Sequence, residues 1–370
     1  MICAYLKVTN YCNVGCDFCY LPEDSRADRT RMSKEVLAGA IKTAELQAAT
    51  ERRSSVLYII HGGEPLSLSP DVLDSFCNDI AEFATLPYEL SIQTSLIPLR
   101  PQHIPVIQKH FKGVVGSSID FSGRMIKSSS DDYISLWLKK IVLARSSGLD
   151  VYPIFVPGKK DLGRAKEIVD WMINNSFLSF SLERFNTYGN DSSDKPTNKE
   201  HARFLIDISR VILDYAEKGV FVANNVFQAA IAGVHSGVSG DRWGGGCIRN
   251  FLVINPDGET NFCPDKIEFA SSFGNVKDAP EYILKSKDRI KASVEYVTGH
   301  KNSFCTSCEF SAWCNSGCPI TENSIANGGE CSGYKSYLNW VGSVENSTII
   351  HYYNMTHLGG RDISRVALHG

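Results

Sequence analysis

The sequence predicts an α/β protein, a partial (βα)6 barrel followed by a loop-rich domain in which clustered cysteines stand where a core would otherwise be. Three observations carry this. Six short apolar runs alternate with amphipathic stretches through the first half of the chain. Of twelve cysteines, three crowd into residues 12–19 and seven lie between 247 and 331. No apolar run approaches the roughly 20 residues that a membrane helix needs.

The elements follow in order. The apolar runs are Cys3–Val8, Val56–Ile60, Leu90–Gln93, Val114–Ile119, Val151–Val156 and Phe177–Leu182, and each reads as a strand. Helical periodicity falls between them at Lys34–Ala49, Asp71–Ala84, His103–Lys109, Tyr133–Ser146 and Arg164–Asn174. Ser33 is a good N-cap, and Glu35 in the first turn suits the helix dipole. Gly148 ends a helix ahead of the fifth strand. Strands alternating with helices imply a parallel sheet covered by helices, and six units are too few to close an eight-stranded barrel. Function in such a sheet belongs at the C-terminal ends of the strands. The polar segment Asn186–Glu200 reads as a linker, and His201–Lys218 as an amphipathic helix. A Gly- and Ser-rich stretch, Gly233–Gly246, opens the second cysteine region. The residues from about Asn346 give no clear assignment.

Composition narrows the function. The 370 residues are 43% hydrophobic and 21% charged, with a formal net charge of −3. Lys and Arg are interleaved with Asp and Glu, so no basic stripe points to nucleic acid. The opening residues Met1–Val8 lack the basic region and cleavage site of a signal peptide, and a cytoplasmic, membrane-free location is expected. In a reducing compartment clustered cysteines read as metal ligands rather than disulfides. Cys3 and Cys77, outside both groups, read as small buried hydrophobes.

Cys12, Cys16 and Cys19 form a C-x3-C-x2-C motif directly after the first strand. Three thiolates can hold a four-iron cluster from one loop and leave one iron without a cysteine, open to substrate or cofactor. Zinc is the alternative for three cysteines taken alone. This loop resembles the signature of the radical S-adenosylmethionine (SAM) superfamily, and Gly62-Gly63-Glu64-Pro65, after the second strand, resembles its GGE motif. The resemblance implies that the open iron binds the amino and carboxylate groups of SAM, whose reductive cleavage yields a 5′-deoxyadenosyl radical that abstracts hydrogen. It places Phe18 against the adenine and the GGEP loop at the methionine amino group. Further correspondences make Gln93, Ser118, Asp120 and Leu182, all at strand ends, cofactor-binding candidates. Their plainer reading is satisfied polar or packed residues.

Cys247, Cys263, Cys305, Cys308, Cys314, Cys318 and Cys331 resemble, spacing for spacing, the seven-cysteine SPASM domain of that superfamily. The resemblance implies two auxiliary four-iron clusters, making three per chain. Cys305, Cys308, Cys314 and Cys331 would hold the outer one, and Cys247, Cys263 and Cys318 the inner one. Some relatives have an eighth cysteine where Asp241 stands. The expected division is a radical SAM barrel over 1–190, a linker with helices over 191–240, a SPASM domain over 241–345 and a tail over 346–370.

Auxiliary clusters suit a net oxidation, because the second electron needs an acceptor. A maturase that cross-links or dehydrogenates side chains of a ribosomally made precursor peptide is the leading expectation. An anaerobic sulfatase maturase forming formylglycine is the alternative. Those enzymes usually carry Q-G-G-E-P, S-x-D-G-P and an Asp directly after the second SPASM cysteine. Here the corresponding residues are His61 before Gly62, Phe121-Ser122-Gly123-Arg124 after Asp120, and Pro264 before Asp265. Oxidation of a sugar alcohol is a third reading, and a non-enzymatic iron–sulfur electron carrier a fourth. Expected partners are a peptide or protein substrate, an external electron donor such as flavodoxin or ferredoxin, and a separate leader-peptide recognition protein. Asp265 and Glu183 are the catalytic acid–base candidates, with Arg184 and His61 beside them; Glu183 and Arg184 read equally as a local ion pair.

Overall fold

The structure is a computed structural model. It describes residues 1–358 apart from 20, 22, 186–191, 241, 265–271, 295–302, 319–320, 322–324 and 326–328. The strands, in chain order, are β1 (Ile2–Lys7), β2 (Gly15–Cys16), β3 (Val56–His61), β4 (Tyr88–Thr94), β5 (Val114–Ser118), β6 (Arg124–Met125), β7 (Asp150–Phe155), β8 (Ser179–Leu182), β9 (Ala223–Asn224), β10 (Phe251–Ile254) and β11 (Thr260–Asn261). All but β2 and β6 join one sheet in the order β11-β10-β1-β3-β4-β5-β7-β8-β9. Every neighbouring pair is parallel except β10 with β11. The six expected strands are therefore the consecutive run β1-β3-β4-β5-β7-β8, each followed by its helix, and the α/β, partial-barrel expectation holds.

Alternation along the strands divides the sheet into two faces. On one, Ile2, Ala4 and Leu6 of β1 and Val56, Tyr58 and Ile60 of β3 join the main core beneath the helices. On the other, Cys3, Tyr5, Leu57, Ile59 and Val253 form a separate small cluster against which Phe251 packs. All six β1 residues are buried, because β1 is central and covered on both faces. Cys3 and Cys77 are buried as expected.

The helices start where their caps say. Ser33 accepts from the Val36 amide and opens Lys34–Thr50. Gly148, at φ +76°, turns the chain into β7. The helix expected from His201 begins earlier, at Asn198, because Thr197 and Glu200 close a reciprocal capping box that the linker reading overlooked. Asn225–Ser236 and Asn346–Leu358 are further helices, the second in the stretch that gave no sequence assignment. Tyr352 anchors it: the ring is fully buried and its hydroxyl donates to the Val222 carbonyl at 2.9 Å.

The cysteine-rich region does more than append loops. Its β10 pairs with β1, setting Cys3 opposite Phe251 and Leu6 opposite Ile254, so the barrel sheet extends into it. Gln47, on the helix Lys34–Thr50, donates to the Arg249 and Phe251 carbonyls at 2.8 and 3.2 Å. On the same helix a side chain at Gly39 would meet the Val276 carbonyl, so glycine permits the close approach of the two regions.

Candidate active site

The loop after β1 and the loop after β3 interlock at the C-terminal ends of their strands. The Gly63 amide donates to the Thr9 carbonyl at 2.8 Å and the Glu64 amide to that of Tyr11 at 2.9 Å. A Cβ on Gly62 would run into the Thr9 carbonyl and one on Gly63 into the Asn10 carbonyl; Gly62 also takes φ +136°. Both positions accept only glycine without rearrangement. This fixes the GGEP loop against the segment leading into Cys12.

Glu64 braces the same region from within. It is fully buried; Oε1 accepts from the Leu66 amide at 2.9 Å and Thr94 Oγ1 at 2.5 Å. Oε2 accepts from the Ser95 amide at 2.8 Å and from the Ser95 hydroxyl. Burial raises its pKa and these four donors oppose the rise. The carboxylate thus ties the end of β3 to the end of β4, leaving Gly62 and Gly63 backbone to line the loop. Gln93, also at the end of β4, is half-buried and hydrogen-bonds His61.

The cysteine loop is held on its other side by β2 and β6, which pair antiparallel with Gly15 opposite Met125 and Cys16 opposite Arg124. Arg124 Nη1 lies 3.3 Å from Cys16 Sγ, and its Nε donates to Asp120 Oδ2 at 2.6 Å. Asp120, fully buried, accepts from the Val156 amide at 2.7 Å on its other oxygen. Burial raises the Asp120 pKa and Arg124 opposes it. Ser118 lends its carbonyl to the Tyr133 hydroxyl at 2.7 Å, while Phe18 packs edge-on against Phe185 at 5.2 Å. A Cβ on Gly123 would stand 2.8 Å from the Phe18 ring, so this glycine gives the ring its place. Phe18 and Asp120 thus meet through Arg124, which stands opposite Cys16, and Ser118 joins them through Tyr133.

At the end of β8, Leu182 is buried, with its amide donating to Asn225 Oδ1 and its carbonyl accepting from Arg242 Nη2, both at 2.8 Å. The Glu183 amide donates to the Phe155 carbonyl at 2.8 Å. Arg184 reaches across to the second cysteine region: it donates to Thr321 Oγ1 and, at 3.1 Å, to the Ser332 carbonyl, and lies 4.7 Å over the Tyr334 ring. Lys7, fully buried at the end of β1, donates to the Pro264 carbonyl at 2.9 Å, directly after Cys263. Asp265 and Asp241 lie outside the described residues.

The residues present fit the implied clusters. Cys12 and Cys16 are each raised by burial to about 12, and each senses the charge of Cys19, so the three sulfurs share one locality. Arg124 pulls both values back and favours the thiolate that an iron requires. Cys314 is raised by burial to about 12 and senses Cys331, Cys308 and Cys305 in turn, which gathers the outer set of four. A Cβ on Gly333 would stand 2.6 Å from Cys314 Sγ, so this glycine keeps the space behind that sulfur open. Cys247 and Cys263 are half-buried and flank β10 and β11. Among the described residues no three His, Cys, Asp or Glu side chains gather as the ligands of a single metal ion.

Arg124, Tyr133, Thr94, Ser95, Lys7 and Arg242 belong to this site and were not singled out as site residues by the sequence. Lys7 alone carried a local signal, a charge at the third inward position of the strand Cys3, Tyr5, Lys7. The others depend on which loops meet.

No protein-family model matches the chain. A protein of Archaeoglobus fulgidus described as uncharacterized is 24% identical over 330 residues, covering 85% of this chain and 74% of that protein. The solved structure of histidine-tagged anSMEcpe with bound AdoMet, that is SAM, superposes with a TM-score of 0.80 at 15% identity, covering 100% of this chain and 99% of that one. Native anSMEcpe with AdoMet and the Kp18Cys peptide gives 0.78 at 15% identity, covering 95% and 99% of the two chains. Streptococcus suis SuiB bound to precursor peptide SuiA gives 0.62 at 18% identity, covering 86% of this chain and 72% of that one. Both are radical SAM enzymes of the SPASM type, anSMEcpe being an anaerobic sulfatase maturase. The likeness is one of fold, and it runs over nearly the whole chain.

Proposed function

We propose that this chain, which shares the fold of SPASM-type radical SAM enzymes, is itself one, and that it oxidatively modifies side chains of a peptide or protein by hydrogen abstraction. The observation that carries the reading is the interlock of the three-cysteine loop with the GGEP loop, through the Gly63 and Glu64 amides and two glycines that leave no room for a side chain. When bound, a four-iron cluster and SAM supply a radical able to remove hydrogen from an unactivated carbon. The chain's own residues do the rest. Cys12, Cys16 and Cys19 hold the cluster; Gly62, Gly63 and the Glu64 brace shape the adjoining floor; Phe18, Gln93, Ser118, Asp120 and Leu182 border the cofactor; and the second cysteine set provides the electron acceptor that an oxidation needs.

A peptide substrate is supported by the peptides bound to anSMEcpe and SuiB, proteins of like fold. The sulfatase-maturase alternative is favoured by the extent of the anSMEcpe match, 99% of that chain. It is opposed by His61, by Phe121-Ser122 after Asp120 and by Pro264, at positions where the maturase pattern differs. Supplying a sulfatase peptide and a candidate precursor peptide to the same preparation separates the two.

The proposal is tested on anaerobically reconstituted protein. Reduced in the presence of SAM, it is expected to release 5′-deoxyadenosine and methionine, and the Cys12→Ala/Cys16→Ala/Cys19→Ala variant to release neither. Cleavage that persists in the variant would move the site away from the first loop.

A further inference from the structure

We propose that Arg124 sets the reduction potential of the cluster held by Cys12, Cys16 and Cys19, acting through its hydrogen bond to Cys16 and a positive charge that Asp120 holds in place. The inference rests on the cluster reading of that loop. Its geometry is specific. The β2–β6 pairing sets Arg124 directly across from Cys16, and the guanidinium uses two separate nitrogens, Nη1 at 3.3 Å from Cys16 Sγ and Nε at 2.6 Å from Asp120 Oδ2. Two rings confine it, Phe18 with centroid 5.4 Å away and Tyr133 at 5.8 Å. Tyr133 is itself fixed by its hydroxyl on the Ser118 and Ser95 carbonyls, and Asp120 by the Val156 amide. The group is thus preorganised by four loops.

An N–H donor on a cluster sulfur withdraws electron density from the irons. A cation nearby stabilises the reduced, more negative state. Both raise the potential, and a buried site weakens them less than water would. The carboxylate of Asp120 offsets part of the charge. The two members of the pair therefore push the potential in opposite directions, which bracing the β2–β6 hairpin alone would not do.

The test is potentiometric titration of the full-length reconstituted protein, with the first cluster picked out by the response of its electron paramagnetic resonance signal to SAM. Arg124→Met combined with Asp120→Asn removes both charges and leaves neither partner buried alone. It is expected to lower the midpoint, shifting the reduction equilibrium at least tenfold, about 59 mV for one electron. Asp120→Asn alone keeps the cation without its counter-charge and is expected to raise the midpoint. Circular dichroism checks folding, and if the double variant does not fold the single one decides. Midpoints equal to wild type, or a rise absent in Asp120→Asn, would overturn the inference. A wild-type protein with no SAM-responsive signal would instead refute the cluster reading, and this inference with it.

Discussion

His61 stands next to Lys7 on the inner face of the sheet, where a second positive charge is costly. Burial, and then Lys7, push its pKa from 6.5 down to about 3, against the pull of the Gln93 hydrogen bond. Near neutral pH it is therefore an uncharged hydrogen-bonding group. Between 6.5 and about 3 the unfolded chain takes a proton at this residue that the folded chain refuses. The stability His61 contributes is present above 6.5 and is lost as pH falls. In His61→Gln, which keeps a hydrogen-bonding group, the melting temperature should fall less steeply than wild type between about pH 7 and pH 5. Parallel curves would place the charge elsewhere.

Among the elements, β10 has the widest consequence. Phe251–Ile254 is only four residues long, yet it lies beside β1 in the central sheet, and Leu252 is fully buried in the main core. Through β10, Gln47 and the tight contact at Gly39, the cysteine-rich region is part of the packing of the barrel. Leu252→Ala should cost about 2–5 kcal/mol. It should also lower the stability of both regions together, in one denaturant transition followed alike by far-ultraviolet circular dichroism and by tryptophan fluorescence. Two separated transitions would show that the regions fold independently.

For the molecule as a whole, contacts among the described residues join the strand ends to the cysteine-rich region: Lys7 to Pro264, Arg184 to Ser332 and Thr321, and Arg242 to Leu182. They hold the proposed electron acceptor at a set place relative to the proposed radical site. Cys331 is buried, and its sulfur accepts from the Lys335 amide at 3.2 Å. Cys331→Ala should disturb the outer cluster and leave the first loop untouched. Measured in one reaction, 5′-deoxyadenosine should persist while modified peptide falls sharply, provided that the variant is folded. Full product yield from protein shown to lack its auxiliary clusters would reduce them to structural staples.

Periodicity and spacing alone specified six strands with their helices, the strand-end location of the site and two groups of cysteines, because each of these is a local or near-local pattern. The three-cysteine loop needs only eight residues to declare itself, from Cys12 to Cys19. The capping box at Thr197 and the apolar run of β10 were also written locally, but short signals inside polar or cysteine-rich stretches lost to their surroundings. Other features had no local signal to find. That Glu64 spends both oxygens on Thr94, Ser95 and Leu66, and that Arg124 lies between Cys16 and Asp120, depends on which loops a curved sheet brings to one end. Hydrophobic alternation decides which face of a strand is buried. The hydrogen bonds that buried charges must then find are decided only when the strands are in register.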